Sequence, residues 1–213
     1  SKALAVVLPV LLLVLDVWPL KRIGAGRSLG LLVEKLPLFA LALISGALAT
    51  WGQVKTGESL VDWQAHTASE RLAQSSYGLA FYPSRTLAPV GLVPIYDLPD
   101  ELGFSQPRFA LSALAVIAIT CALIALRRRA PGALAAWIAF VLAILPVLGW
   151  TQAGAQLVAD RYSYLSCMPL ALLGGGAWLA WTSHSARARA LGLALAAPVV
   201  LALGVSTHAQ TRT

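Results

Sequence analysis

Residues 109–126, FALSALAVIAITCALIAL, carry no charge and stop abruptly at Arg127-Arg128-Arg129. An uncharged apolar run of this length matches the roughly 20 helical residues needed to cross a hydrocarbon core. Pro131-Gly132 then turns the chain into a second such run, 133–150, which closes on Trp150. The same alternation of apolar run and short basic turn recurs at 3–20, 36–51, 164–182 and 190–206. Hydrophobic residues make up 58% of the chain and charged ones 12%, with mean hydropathy +0.75; a soluble domain is nearer half apolar and a quarter charged. The pattern predicts an all-α polytopic membrane protein, with 1–213 as one membrane domain of about six transmembrane helices. Cys121 and Cys167 both fall inside apolar runs and read as small core residues rather than a disulfide. The chain opens on Ser1 and enters an apolar run almost at once, which predicts a piece of a longer protein.

The net charge of +7 raises the question of a nucleic-acid partner, and the placement of the charges removes it. Lys21, Arg22, Arg27, Lys35, Arg127, Arg128, Arg129, Arg187 and Arg189 all sit in short connections on one side, with Glu34 as their single acid. On the other side, Lys2, Lys55, Arg71, Arg85, Arg108, Arg161 and Arg212 are balanced by Glu58, Asp62, Glu70, Asp97, Asp100, Glu101 and Asp160. An excess of Lys and Arg in short loops marks the cytoplasmic face. Both chain ends, the long loop 52–107 and the loop 151–163 are therefore expected outside.

Within the long loop, Thr67-Ala68-Ser69-Glu70 has the spacing of a capping box, in which hydroxyl and carboxylate exchange bonds with free backbone N–H groups. A helix from there is expected to end at Tyr82, because Pro83 pushes its predecessor out of the α region. Its mixed composition suits either an interfacial helix or a packed surface helix. Five prolines over 83–107 predict irregular chain beyond it. Gly174-Gly175-Gly176 predicts a close approach by a neighbouring helix.

The candidate chemistry lies in the outer loops. Asp160, Arg161, Tyr162 and Tyr164 crowd between two apolar segments, where ionisable groups are costly unless paired or used. One reading is an Arg–Asp pair with tyrosines anchoring a helix end. The other is a site: Arg161 offers a planar fork of donors for a phosphate or carboxylate, and Asp160 can orient that fork, take a proton or hold a metal. Of two tyrosines two positions apart on a helix, only one need face the site. Gln152 and Gln156 stand at i and i+4, and Arg85 and Lys2 are further anion ligands or headgroup anchors. Asp16, near the cytoplasmic end of its run, is expected to pair with Lys21 or Arg22. His66, His184 and His208 have no metal-ligand spacing. Phosphate-loop, dinucleotide and nucleophile-elbow motifs are absent.

Leu157-Val158-Ala159-Asp160-Arg161-Tyr162-Ser163-Tyr164-Leu165 resembles the A-D-R-Y-x-Y-L-P signature of GT-C-type membrane glycosyltransferase-like proteins that carry C-terminal tetratricopeptide repeats. These include bacterial membrane proteins and the animal transmembrane O-mannosyltransferases. Further stretches are similar in the same order: Ser1-Lys2-Ala3 with Leu12–Leu20 around Asp16 and Pro19; Leu32-Val33-Glu34-Lys35-Leu36-Pro37; and Glu70-Arg71-Leu72-Ala73 through Arg85-Thr86-Leu87, Pro89 and Val93–Tyr96. Ala88 stands where the family has Trp, and Pro169 is displaced from the signature position. The resemblance implies transfer of a sugar from a polyprenyl-phosphate donor to the hydroxyl of a protein or glycan acceptor on the outer face. It implies a phosphate contact for Arg161, held by Asp160, with Tyr162 lining the pocket; Tyr164, Gln156, Lys2 and Arg85 complete the expected binding set. No metal is expected. The family's acidic catalytic motif lies upstream of Ser1 and its repeats follow the last span, so this stretch alone is expected to be inactive. The alternative is a non-catalytic membrane subunit that retains the scaffold.

Overall fold

The computed structural model describes residues 6–22, 28–56, 67–89, 91–93, 95–99, 101–150 and 156–210. Its helices are α1 (Leu8–Val17), α2 (Ser28–Thr56), α3 (Ala68–Leu87), α4 (Pro107–Ala125), α5 (Pro131–Ile144), α6 (Ser163–Ser166), α7 (Met168–Ser183) and α8 (Ala186–Gln210). Strands β1 (Tyr96–Asp97) and β2 (Gln156–Val158) pair antiparallel, Tyr96 opposite Val158 and Asp97 opposite Gln156. The chain is thus mainly helical, with a small ribbon that the apolar periodicity did not announce. It divides into two units, Ser1–Leu170 and Ala171–Thr213.

Among the described residues, three stretches are long and apolar enough to cross a membrane: Leu29–Leu48 in α2, Pro107–Ala125 in α4 and Ala186–Val205 in α8. A fourth is added if residues 160–166 and 168–183 count as one span. The runs expected at 3–20 and 133–150 hold shorter helices. The ten residues of α1 reach about 15 Å at 1.5 Å per residue. It ends because Pro19 holds Trp18 in extended backbone, φ −150° and ψ 130°. Both α4 and α5 open on proline, whose missing N–H costs nothing at a first helical position.

Helix α2 corrects an expectation. Pro37 lies inside it rather than introducing it, so Glu34 and Lys35 belong to the helix and not to the preceding turn. From there the Lys35 ammonium reaches Asp16 Oδ2 at 2.6 Å, while Arg22 bridges Asp16 Oδ1 and Glu34 Oε2, each at 3.0 Å. Asp16 and Lys35 are both buried. The partner of Asp16 was expected among Lys21 and Arg22; Arg22 takes that role jointly with Lys35, and Lys21 does not.

The core of the first unit gathers around α3, the helix of the polar loop. Phe81 and Tyr82 of α3 pack with Phe109 of α4, Trp137, Phe140 and Ile144 of α5, and Leu157 and Val158 of β2. Arg71, Gln74, Ser75, Gly78, Phe81 and Tyr82 are buried at helical spacing, one stripe along one face. Both arms of the capping box form: Glu70 N–H donates to Thr67 Oγ1 at 3.3 Å and Thr67 N–H to Glu70 Oε2 at 3.0 Å. Helix α3 does not stop at Tyr82 but continues through Pro83 to Leu87. Ser84 Oγ donates to the Phe81 carbonyl at 2.7 Å and Thr86 Oγ1 to that of Tyr82 at 2.8 Å, so hydroxyls serve carbonyls around the proline. The choice between interfacial and packed helix falls to packed.

The second unit takes the rest of α7 and α8. Gly192 lets α8 approach: a Cβ there would lie 2.5 Å from Thr182 Cγ2. Within this hairpin no atom nears the Cβ positions of Gly174, Gly175 or Gly176, so the close approach belongs to Gly192 and not to the triple glycine. Cys167 is buried but Cys121 is exposed on α4, which corrects its reading as a core residue; both thiols are free.

Candidate functional site

Two irregular strands of chain, 91–97 and 156–162, meet beside the C-terminal half of α3. Irregular backbone leaves carbonyls and N–H groups without helical partners, and buried ones must be satisfied by something else. The polar half of the α3 stripe does this. Arg71 Nη1 donates to the Gly149 carbonyl at 2.8 Å and Ser75 Oγ to that of Leu148 at 2.9 Å. Gln74 Nε2 is shared between the carbonyls of Gln156 and Leu157, each at 3.3 Å. Further along, the Tyr82 hydroxyl accepts the N–H of Ala159 at 3.2 Å. Burial pushes the Tyr82 phenol well above its ordinary range, with the Ala159 N–H pulling the other way. Gly149 has φ +89°, and a Cβ there would run into the Gln74 amide.

Beyond Ala159 the chain makes one 3-10 turn, Asp160–Tyr162, and enters α6. The Asp160 and Tyr162 carbonyls accept from Ser163 Oγ and Ser166 Oγ, both at 2.7 Å. Asp160 does not hold Arg161. Its Oδ2 instead accepts the Val93 N–H at 2.9 Å and the Tyr96 hydroxyl at 3.3 Å, tying the 91–97 strand to the turn. That backbone N–H has no helical carbonyl to bond, and it is shared between the carboxylate and the Tyr96 hydroxyl, the latter at 3.2 Å. Partial burial pushes the Tyr96 phenol up, opposed by its bond from the Val93 N–H.

Arg161 is oriented by neutral groups. Its Nη2 donates to Gln156 Oε1 at 3.3 Å and to the Tyr162 hydroxyl at 3.2 Å, and the guanidinium lies 5.0 Å from the centre of the Tyr162 ring. Gln156 Nε2 also meets the Tyr162 hydroxyl at 3.4 Å. Gln156 is buried and Arg161 exposed, so the amide and phenol form a wall on which the cation lies. Among the described residues no carboxylate pairs with Arg161.

The other expected residues divide. Arg85 lies over the Phe81 ring at 5.4 Å; Phe81 meets Tyr96 edge-on at 5.0 Å, and Tyr96 reaches Asp160. Tyr164 is 83% exposed and stands apart from the cluster. Lys2 and Gln152 lie outside the described residues. Tyr96 lies in a stretch that shares the family resemblance but has no expected role at the site; pairing with β2 brings it to Asp160. Among the described residues no three or more His, Cys, Asp or Glu stand close enough to hold a metal.

The arrangement can bind an anion at Arg161 and can hold its own loops in place; the described groups offer no carboxylate free to act as a base there. No protein-family profile, curated protein or solved structure matches the chain.

Proposed function

We propose that this chain is the membrane portion of a GT-C-like glycosyltransferase, which takes a sugar from a polyprenyl-phosphate donor and passes it to an acceptor hydroxyl. The single observation behind this reading is that Arg161 is positioned by the Gln156 amide and the Tyr162 phenol rather than by Asp160. A guanidinium neutralised by a carboxylate has little left for a ligand. One braced by neutral acceptors keeps its full charge for a lipid phosphate and stabilises that phosphate as it departs. In this reading the general base comes from outside the described residues, in keeping with the upstream acidic motif that the resemblance implies. The surrounding architecture is six crossings of a bacterial inner membrane, with the Arg161 cluster on the periplasmic side. Helices α2, α4 and α8 are the full-length crossings, α1 and α5 the short ones, and the bent α6–α7 pair is the sixth.

The engagement of Asp160 by Val93 and Tyr96 favours a second reading, a non-catalytic subunit whose polar cluster is purely structural. Sugar transfer from a radiolabelled polyprenyl-phosphate donor by the full-length protein separates the two. Arg161→Ala is expected to lower transfer by about 100-fold, as for loss of one preorganised charge-stabilising donor. Arg161→Lys should recover only part of it, because an ammonium lacks the planar fork. Absence of both transfer and binding across a panel of lipid-linked sugars would establish the subunit.

A further inference from the structure

A cavity of about 460 Å³ opens between α1 and α5. Its walls are Val14, Val17 and Trp18 from the first run and Leu134, Ala135 and Ile138 from α5, and its cationic members are Lys21 and Arg127. The volume is within the roughly 300–1,000 Å³ of ligand sites. The walls are apolar, and no acid lines the cavity.

The backbone places these groups with some care. Lys21 has φ +50°, a left-handed conformation that a non-glycine residue holds only when its surroundings impose it. The Arg22 N–H fixes the turn by donating to the Asp16 carbonyl at 2.8 Å, and the Arg22 side chain is spent on Asp16 and Glu34. Lys21 is thereby set at the cavity with its charge uncompensated among the described ion pairs, and the same holds for Arg127. The Trp18 indole forms one wall by lying against Gly132, where a Cβ would come within 2.6 Å of it. Two cations lining an apolar groove are complementary to a phosphate headgroup with an acyl chain.

We propose that the groove between α1 and α5 binds one anionic phospholipid, its phosphate held by Lys21 and Arg127 and an acyl chain lying along Val14, Val17 and Ile138. This rests on the membrane reading above but not on sugar transfer. The test is native mass spectrometry of the full-length protein, titrated with phosphatidylglycerol and, separately, phosphatidylcholine. One phosphatidylglycerol should be retained in preference to phosphatidylcholine, and the Lys21→Ala/Arg127→Ala variant should weaken its retention roughly tenfold or more, at about 1 kcal/mol per basic residue. Arg128→Ala/Arg129→Ala removes the same charge from residues that do not line the groove, and should leave retention within about twofold. Ala135→Phe fills the groove and should abolish retention with every charge intact. Equal retention of the two lipids, equal loss in both charge variants, or displacement by millimolar inorganic phosphate would overturn the site. Release of the protein from membranes by alkaline carbonate would overturn the membrane reading along with it.

Discussion

Asp160 and Arg161 are neighbours with opposite assignments, one to the fold and one to a ligand, and their substitutions should part accordingly. Asp160→Ala removes the charged acceptor of the Val93 N–H, leaving it only the longer bond to the Tyr96 hydroxyl, which itself keeps the Gly91 carbonyl. Hydrogen exchange at Val93 should then quicken by roughly tenfold or more, since a hydrogen bond to a charged group is worth about 1.5–3 kcal/mol. Arg161→Ala should leave that amide unchanged; if both variants loosen 91–97 alike, the two side chains form one structural unit. Tyr82 gives a pH dependence with a definite sign. Its folded-state pKa is raised by burial above the 10.0 of a free phenol, so above about pH 10 the unfolded chain releases a proton that the folded chain keeps. Stability is therefore fully present below pH 10 and falls as pH rises beyond it. Tyr82→Phe should lower Tm at pH 8, because the Ala159 N–H loses its acceptor, yet show a shallower decline between pH 10 and 12.

Helix α3 carries the second tier of consequences and also marks where reading the residues stops. Its start was legible, because Thr67 and Glu70 satisfy each other locally and need nothing from the rest of the chain. Its end was not, because Pro83 forbids only one backbone bond and the hydroxyls of Ser84 and Thr86 serve neighbouring carbonyls. Its buried face was legible only for Phe81 and Tyr82. Arg71, Gln74 and Ser75 look like a solvent face by composition, and become core only because they meet the carbonyls of Leu148, Gly149, Gln156 and Leu157. The same limit applies to the site: the crowding of Asp160, Arg161 and Tyr162 is visible in sequence, but Tyr96 and Val93 reach it by long-range pairing. Two substitutions test this account of α3. Gln74→Leu keeps the volume but removes the two bonds that Gln74 gives to the Gln156 and Leu157 carbonyls, and should cost roughly 1–3 kcal/mol, read as a lowered Tm in detergent. Gly149→Ala should cost at least as much, because it combines a strained φ, at about 1–3 kcal/mol, with collision against the Gln74 amide. Thr67→Ala should cost about 1 kcal/mol and speed exchange in the first turn of α3 alone.

For the whole molecule, the proposed membrane reading predicts six crossings, and that number turns on α5. Composition marked every apolar run alike, since hydropathy counts side chains and takes no account of where a helix breaks. The helices that form are unequal: α4 has nineteen residues, whereas α5 has fourteen before the 3-10 turn Leu145–Val147 takes over. Fourteen residues give about 21 Å against a hydrocarbon core of about 30 Å, and local thinning of the bilayer would have to make up the difference at fractions of a kcal/mol per Å. Single cysteines in a Cys121→Ala/Cys167→Ala background, probed with an impermeant maleimide on intact cells, decide the matter. Ser105→Cys before α4 should label from outside and Arg128→Cys after it should not, which fixes the orientation through one unambiguous crossing. Tyr164→Cys, exposed beyond α5, is the informative position. Labelling from outside, together with a silent Ser185→Cys, means that α5 and the α6–α7 segment both cross, as six spans require. A silent Tyr164→Cys would mean that α5 turns back without crossing. The Arg161 cluster would then share a compartment with Arg127–Arg129, on the side opposite to that of a periplasmic sugar transferase.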